Sequence, residues 1–136
     1  MFETFDQTAD QGLRIRAANL DTLFAEAAIA LFSTIVEDMT TVAPRQAVSI
    51  ELAQDEPEYL LFDWLKTLLF HFDAEHILFS RFEVHIGETG LKATAWGEPL
   101  DRERHELAHE VKAITYHGLC VEQTGDGYLA EVIVDI

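Results

Sequence analysis

The sequence predicts an α+β fold, a largely antiparallel or mixed β-sheet with two main amphipathic helices, as a single domain over residues 1–136. Three observations carry that expectation. Apolar residues recur at spacings of three and four in two long windows, they alternate with polar residues elsewhere, and Gly- and Asp-containing turns separate the alternating runs. A chain of 136 residues, 49% hydrophobic and 25% charged, can build one core. It should bury roughly 65–70% of its unfolded surface, enough to fold without disulfide or metal staples.

The first helical window runs from Leu20 to Val36, with Leu20, Leu23, Phe24, Ala27, Ala28, Leu31, Phe32 and Ile35 on one face. Asn19 is its expected N-cap, and Asp21 in the first turn suits the helix dipole. Val48, Ile50 and Leu52 then alternate as a strand. A second helix is expected from about Glu56 to Phe72, capped by Asp55, with Pro57 in its first turn and a wide apolar stripe from Leu60 to Phe72. Phe82, Val84 and Ile86 alternate with Arg81, Glu83 and His85, and Gly87 to Gly90 turns that strand into Leu91, Ala93 and Ala95. Val111 to Val121 reads as one longer run. Thr124-Gly125-Asp126-Gly127 turns it into a last strand from Tyr128 to Ile136, where Tyr128, Ala130, Val132, Val134 and Ile136 share a face.

Charge and cysteine usage narrow the function classes. Nine Lys and Arg against 25 Asp and Glu leave a net charge of −16, which disfavours direct nucleic-acid binding because phosphate contacts need clustered cations. Arg14 with Arg16 and Arg102 with Arg104 are the only close basic pairs. A lone Cys120 excludes an internal disulfide and reads as a small apolar residue in a reducing compartment. The first ten residues carry three acids and no base, unlike a signal peptide, and no apolar run reaches membrane-spanning length. A cytoplasmic, monomeric protein without membrane contact is expected.

His105-Glu106-Leu107-Ala108-His109 matches H-E-x-x-H, which on a helix puts two imidazoles on one face to hold zinc with the glutamate as general base. Its context argues against a metal-dependent hydrolase. Pro99 lies six residues upstream, strand-like alternation begins at Val111, and the extended form would want Gly and His where Lys112 and Thr115 stand. The segment from Asp101 to Glu110 reads instead as solvated and charged. His71, His76, His85 and His117 read as structural or surface residues.

Several segments together resemble the archease family. They are Thr8-Ala9-Asp10-x-Gly12 followed by Leu13 to Ala17, Leu61-x-Asp63-Trp64-Leu65 with Leu69-Phe70-x-Phe72-Asp73, and Leu91-Lys92-Ala93-Thr94 with Gly97-Glu98-Pro99. The run Glu110-Val111-Lys112-Ala113-Ile114-Thr115-Tyr116-His117 and the closing Val134-Asp135-Ile136 complete a resemblance that spans the chain in order. It implies an accessory protein, not an enzyme: an activator of a GTP-dependent RtcB-type RNA ligase in tRNA splicing, which promotes guanylylation of the ligase histidine and multiple turnover. It also implies a functional cluster of Asp10, Lys112 and Asp135, with Asp10, Asp135 and the terminal carboxylate of Ile136 binding a divalent cation, Ca²⁺ before Mg²⁺ or Mn²⁺. An all-oxygen donor set of that kind suits a hard ion. Gln7 stands where the family usually has His, and Gln11 replaces a customary aliphatic residue. Gln can donate a hydrogen bond but cannot titrate. The rival readings are the H-E-x-x-H hydrolase and a general chaperone-like protein acting through exposed apolar surface.

Overall fold

The computed structural model describes residues 1–7 and 10–136, with the side chains of all of these except Asp6 and Gln7. The small side chains of Ala27, Ala28 and Ala30 allow α1 (Leu20–Ile35) to be enclosed on nearly every side, with Leu23, Phe24, Leu31 and Phe32 fully buried. Asn19 Oδ1 accepts the Thr22 N–H at 2.8 Å and caps the helix as the sequence predicts. Asp21 does more than face the dipole, since its carboxylate accepts the Ile86 N–H at 2.8 Å.

The stripe of α2 (Pro57–Glu75) buries Leu60, Leu61, Trp64, Leu65, Leu68 and Leu69. The Trp64 indole N–H donates to the Phe24 carbonyl at 3.0 Å, so the one polar atom of the largest core side chain joins the two helices. Two details differ from expectation. Asp55 does not cap this helix; Glu56 holds the N-cap position without a side-chain bond, while Gln54 Oε1 accepts the N–H groups of Asp55 and Glu56 at 3.1 and 3.2 Å. The helix also continues past Phe72, with His71 and Glu75 paired one turn apart and His76 closing the end at φ 56°, its N–H on the Phe72 carbonyl.

Among the described residues, eight strands form two antiparallel sheets. The first comprises β1 (Phe2–Gln7), β2 (Asp10–Ala17), β6 (Ala113–Ile114), β7 (Cys120–Thr124) and β8 (Gly127–Asp135). It runs β1-β2-β8, with β6 and β7 following one another along the far side of β8. The second runs β3 (Gln46–Ala53), β5 (Gly90–Pro99), β4 (Ile77–Gly87). Both helices touch both sheets, and the core lies between them. Leu13, Ile15, Ala130, Val132 and Val134 face it from one sheet; Ile50, Val84, Leu91, Ala93 and Ala95 face it from the other. No described helix is long and apolar enough to cross a membrane.

The expected run from Val111 to Val121 is not one strand. Ala113 and Ile114 pair with β8, flanked by the Lys112 and Thr115 N–H groups on the Asp135 and Ile133 carbonyls, before Tyr116 to Leu119 form a turn, with the Leu119 N–H on the Tyr116 carbonyl and Gly118 at φ 63°. β4 begins five residues before Phe82, because an irregularity between Phe79 and Arg81 breaks the alternation that reveals a strand in sequence.

The segment between β5 and β6 is anchored by buried polar groups. Glu98 is 4% exposed and His105 2% exposed. His105 Nδ1 accepts the Asp101 N–H at 2.9 Å, so Nε2 carries the proton and donates to Glu98 Oε2 at 2.9 Å. Glu98 also accepts the Ala43 N–H at 2.7 Å and pairs with Arg104. Burial by itself raises the Glu98 carboxyl, but the hydrogen bonds from Ala43, Arg104 and His105 outweigh it and hold the group at about 2. A folded-state value below the unfolded one stabilises the protein above the unfolded value, and the contribution is lost as pH falls toward about 2. We predict that acid weakens the fold through this group between about pH 5 and pH 2, a shift of this size being worth roughly 3 kcal/mol. In urea unfolding across that range, Glu98→Gln should flatten the pH dependence while lowering stability at pH 7.

A carboxylate pair at the end of the first sheet

Antiparallel pairing sets Asp10, the first residue of β2, directly opposite Asp135, the last residue of β8. Directly opposed residues project from the same face. Since Leu13, Ile15, Val132 and Val134 point into the core, Asp10 and Asp135 lie on the other face, at the sheet end. Asp10 is therefore a strand residue and not part of a free turn before Gly12. Lys112 reaches the same place from the opposite side of β8. Its N–H donates to the Asp135 carbonyl at 2.7 Å, and the next residue, Ala113, is paired with Asp135. The backbone of Lys112 thus meets the strand end at which Asp10 and Asp135 are paired.

The rest of that face supports the corner. Gly12 leaves room for the Phe5 ring, which a Cβ at position 12 would meet at 2.1 Å. The Arg14 guanidinium lies 4.9 Å from the centre of that ring and bridges Glu3 and Glu131 at 3.4 and 3.3 Å, an ionic row across β1, β2 and β8. From the opposite, core-facing side, Gln11 Nε2 donates to Thr34 Oγ1 at 3.3 Å and fastens the start of β2 to the end of α1. Residue 7 is the backbone partner of Asp10, but the Gln7 side chain, like Thr8 and Ala9 of the opening motif, lies outside the described residues.

Two like charges directly opposed across a ladder repel, and a hard divalent cation relieves that repulsion through oxygen ligands. The donors at this corner fit such an ion by their chemistry. Asp10 and Asp135 supply two side-chain carboxylates, and Ile136 follows Asp135 directly. Among the described residues, no cluster of three His, Cys, Asp or Glu side chains is arranged to hold a metal.

The H-E-x-x-H segment has a different role from either one expected of it. Residues 105–109 are irregular and not helical, with a single bridge at Leu107. The Ala108 and His109 N–H groups donate to the carbonyls of Ile35 and Thr34 at 2.8 and 3.1 Å, and Leu107 bridges Val36. The segment thereby satisfies carbonyls that the C-terminus of α1 leaves without helical partners. His105 is buried against Glu98, whereas exposed His109 lines a surface cavity of about 370 Å³ with Asp73, His76 and Glu110. The two imidazoles do not share a face, so the zinc reading fails on geometry, and His105 is not solvated as the charged-segment reading supposes. Cys120 is half-buried; burial and the carboxylates of Glu131, Glu122 and Glu58 push its thiol up, although a backbone hydrogen bond at Glu131 lowers it. That disfavours a reactive thiolate.

Comparison with known proteins agrees with this architecture. The profile of the Archease protein family (MTH1598/TM1083) matches residues 2–136. The chain belongs to the archease family. It is 39% identical over 137 residues to protein archease of Sulfurisphaera tokodaii, covering 99% of this chain and 98% of that one. It is 40% identical over 140 residues to protein archease of Pyrococcus abyssi, with the same coverage. Among solved structures, protein 1598 of Methanobacterium thermoautotrophicum superposes with a TM-score of 0.88 at 38% identity, over 99% of this chain and 98% of that one. A Thermotoga maritima protein described as an archease, possible chaperone, superposes at 0.70 with 22% identity, over 100% and 98%, and shares the fold.

Within this archease fold, sequence reasoning missed the Glu98–His105 pair. The signal was available, since Gly97-Glu98-Pro99 sets an acid at the end of an apolar strand six residues before the Arg104-His105 pair. The two motif histidines should therefore respond unequally to substitution. In thermal or urea unfolding, His105→Ala should cost about 2–3 kcal/mol by leaving buried groups unpaired, and His109→Ala less than about 0.5 kcal/mol. Stoichiometric zinc binding lost equally in both variants would contradict this.

Proposed function

We propose that this archease is an accessory protein that activates a GTP-dependent RtcB-type RNA ligase, promoting guanylylation and multiple turnover, and that Asp10, Lys112 and Asp135 are the groups it brings to the ligase. The observation that carries the reading is the corner itself: Asp10 opposite Asp135, with Lys112 hydrogen-bonded to the Asp135 backbone. Family membership supports it, as do the −16 net charge and the absence from the sequence of the clustered cations that RNA binding needs. An acidic protein meets a basic RNA-binding enzyme with complementary charge, which speeds encounter and orients docking.

At the ligase active site, Asp10 and Asp135 would orient cationic groups beside the GTP triphosphate, while Lys112 offers an ammonium to its phosphate oxygens. Both actions position and neutralise charge in phosphoryl-type transfer, and neither requires chemistry of this chain's own. A divalent ion, Ca²⁺ by donor type, would be held by Asp10, Asp135 and the terminal carboxylate of Ile136 and would supply positive charge there.

The test is guanylylation of a cognate ligase with GTP at substoichiometric archease. Wild type should accelerate the reaction and sustain turnover, and Asp10→Ala should lose stimulation by at least about tenfold while melting no lower than wild type in chelator. Full stimulation by Asp10→Ala would overturn the assignment of the corner. Suppression of aggregation of unrelated clients, with no effect on any ligase, would favour the chaperone-like alternative.

A further inference from the structure

Tyr116 and Tyr59 are 58% and 52% exposed, and both line a surface cavity of about 660 Å³ with Leu119, Glu56 and Glu58. The exposure is not looseness. One face of the Tyr116 ring stacks on Phe62, with centroids 3.9 Å apart and planes 13° from parallel, and Phe62 itself is buried. Tyr59 stands edge-on to Tyr116 at 72°, centroids 6.1 Å apart, so the two rings form a corner. The backbone behind Tyr116 is fixed as well: the Thr115 N–H and hydroxyl both donate to the Ile133 carbonyl, and the turn to Leu119 closes on the Tyr116 carbonyl.

An aromatic corner rimmed by carboxylates has a defined chemical preference. The ring faces attract a cation, and two nearby acids add to its field. A guanidinium satisfies both at once, lying flat on Tyr116 while its N–H groups reach carboxylate oxygens, which an ammonium does less well. A nucleobase could stack on the same ring, but its phosphates would face Glu56 and Glu58 on a chain of net charge −16. We propose that the Tyr59–Tyr116 corner is a docking site for an arginine side chain of a protein partner. Tyr116 lies four residues beyond Lys112, within roughly 13 Å at strand rise, so an arginine seated here is anchored close to the carboxylate pair. The proposal deepens the ligase reading by naming the partner group, and it rests on that reading only for the partner's identity.

Two titrations decide it separately. The first uses the peptide acetyl-Gly-Arg-Arg-Gly-amide, followed by the ring proton resonances of the two tyrosines. The peptide should shift both rings, and Tyr116→Ala should weaken binding by about tenfold. Tyr116→Phe should retain it, and Glu56→Gln with Glu58→Gln should weaken it and flatten its salt dependence. No shift at millimolar peptide would overturn the proposal, as would tighter binding of a uridine hexanucleotide at the same rings. The second titration measures affinity for the cognate ligase, where Tyr116→Ala should lose about tenfold while remaining folded. Unchanged affinity in that variant would overturn the proposal too. Failure of the wild type to bind any ligase would count against the ligase reading alone, and the peptide titration would then decide this one.

Discussion

The antiparallel ladder between β2 and β8 is the constraint on which the rest of the molecule depends. Its register buries Leu13 and Ile15 beside Val132 and Ala130 on one face, and the same register sets Asp10 opposite Asp135 on the other. Side chains alternate with a period of two, so a slip by one residue would expose the core row and separate the carboxylates together. Packing energy thus fixes which two acidic residues face one another at the strand end. β8 is also the strand to which β6 is tied, and through β6 the ladder draws Lys112 to the same corner.

The long segment between β5 and β6 belongs to the same construction, although little of it is regular structure. It is pinned at Glu98–His105, laid across the C-terminal carbonyls of α1, and released at Lys112. Each contact answers a local need: a buried carboxylate requires donors, and a helix end requires N–H groups for its last carbonyls. Their combined effect is to fix where an otherwise free loop delivers a lysine. The link from Gln11 to Thr34 ties the start of β2 to that helix end, so both sides of the carboxylate corner share one support.

Most of the fold was legible wherever one periodicity dominated. The buried stripes of α1 and α2, the Asn19 cap, the turn between Gly87 and Gly90 and the inward row of β8 follow from spacing alone. β2 was equally readable in principle, since Leu13, Ile15 and Ala17 alternate with Arg14 and Arg16, but β1 carries no such alternation. The break at Tyr116–Leu119 depends on Gly118 adopting a positive φ, which composition permits without requiring. His105 shows the deeper limit. H-E-x-x-H implies metal only on a helix, and whether residues 105–109 are helical is decided by the end of α1, about seventy residues earlier. The candidate corner came from family resemblance, and its geometric sense became visible only in the register.

The opposed carboxylates at the end of this ladder are the groups proposed above to hold a divalent cation. Thermal unfolding of the wild type and of Asp10→Asn, each in chelator and in millimolar Ca²⁺, tests that proposal directly. Calcium should raise the wild-type melting temperature by roughly 4–8 °C. Asp10→Asn, relieved of the like-charge contact, should melt at least as high as the wild type in chelator and show no response to the ion. A wild type indifferent to Ca²⁺, Mg²⁺ and Mn²⁺ alike, or an Asp10→Asn variant that melts lower in chelator, would contradict it.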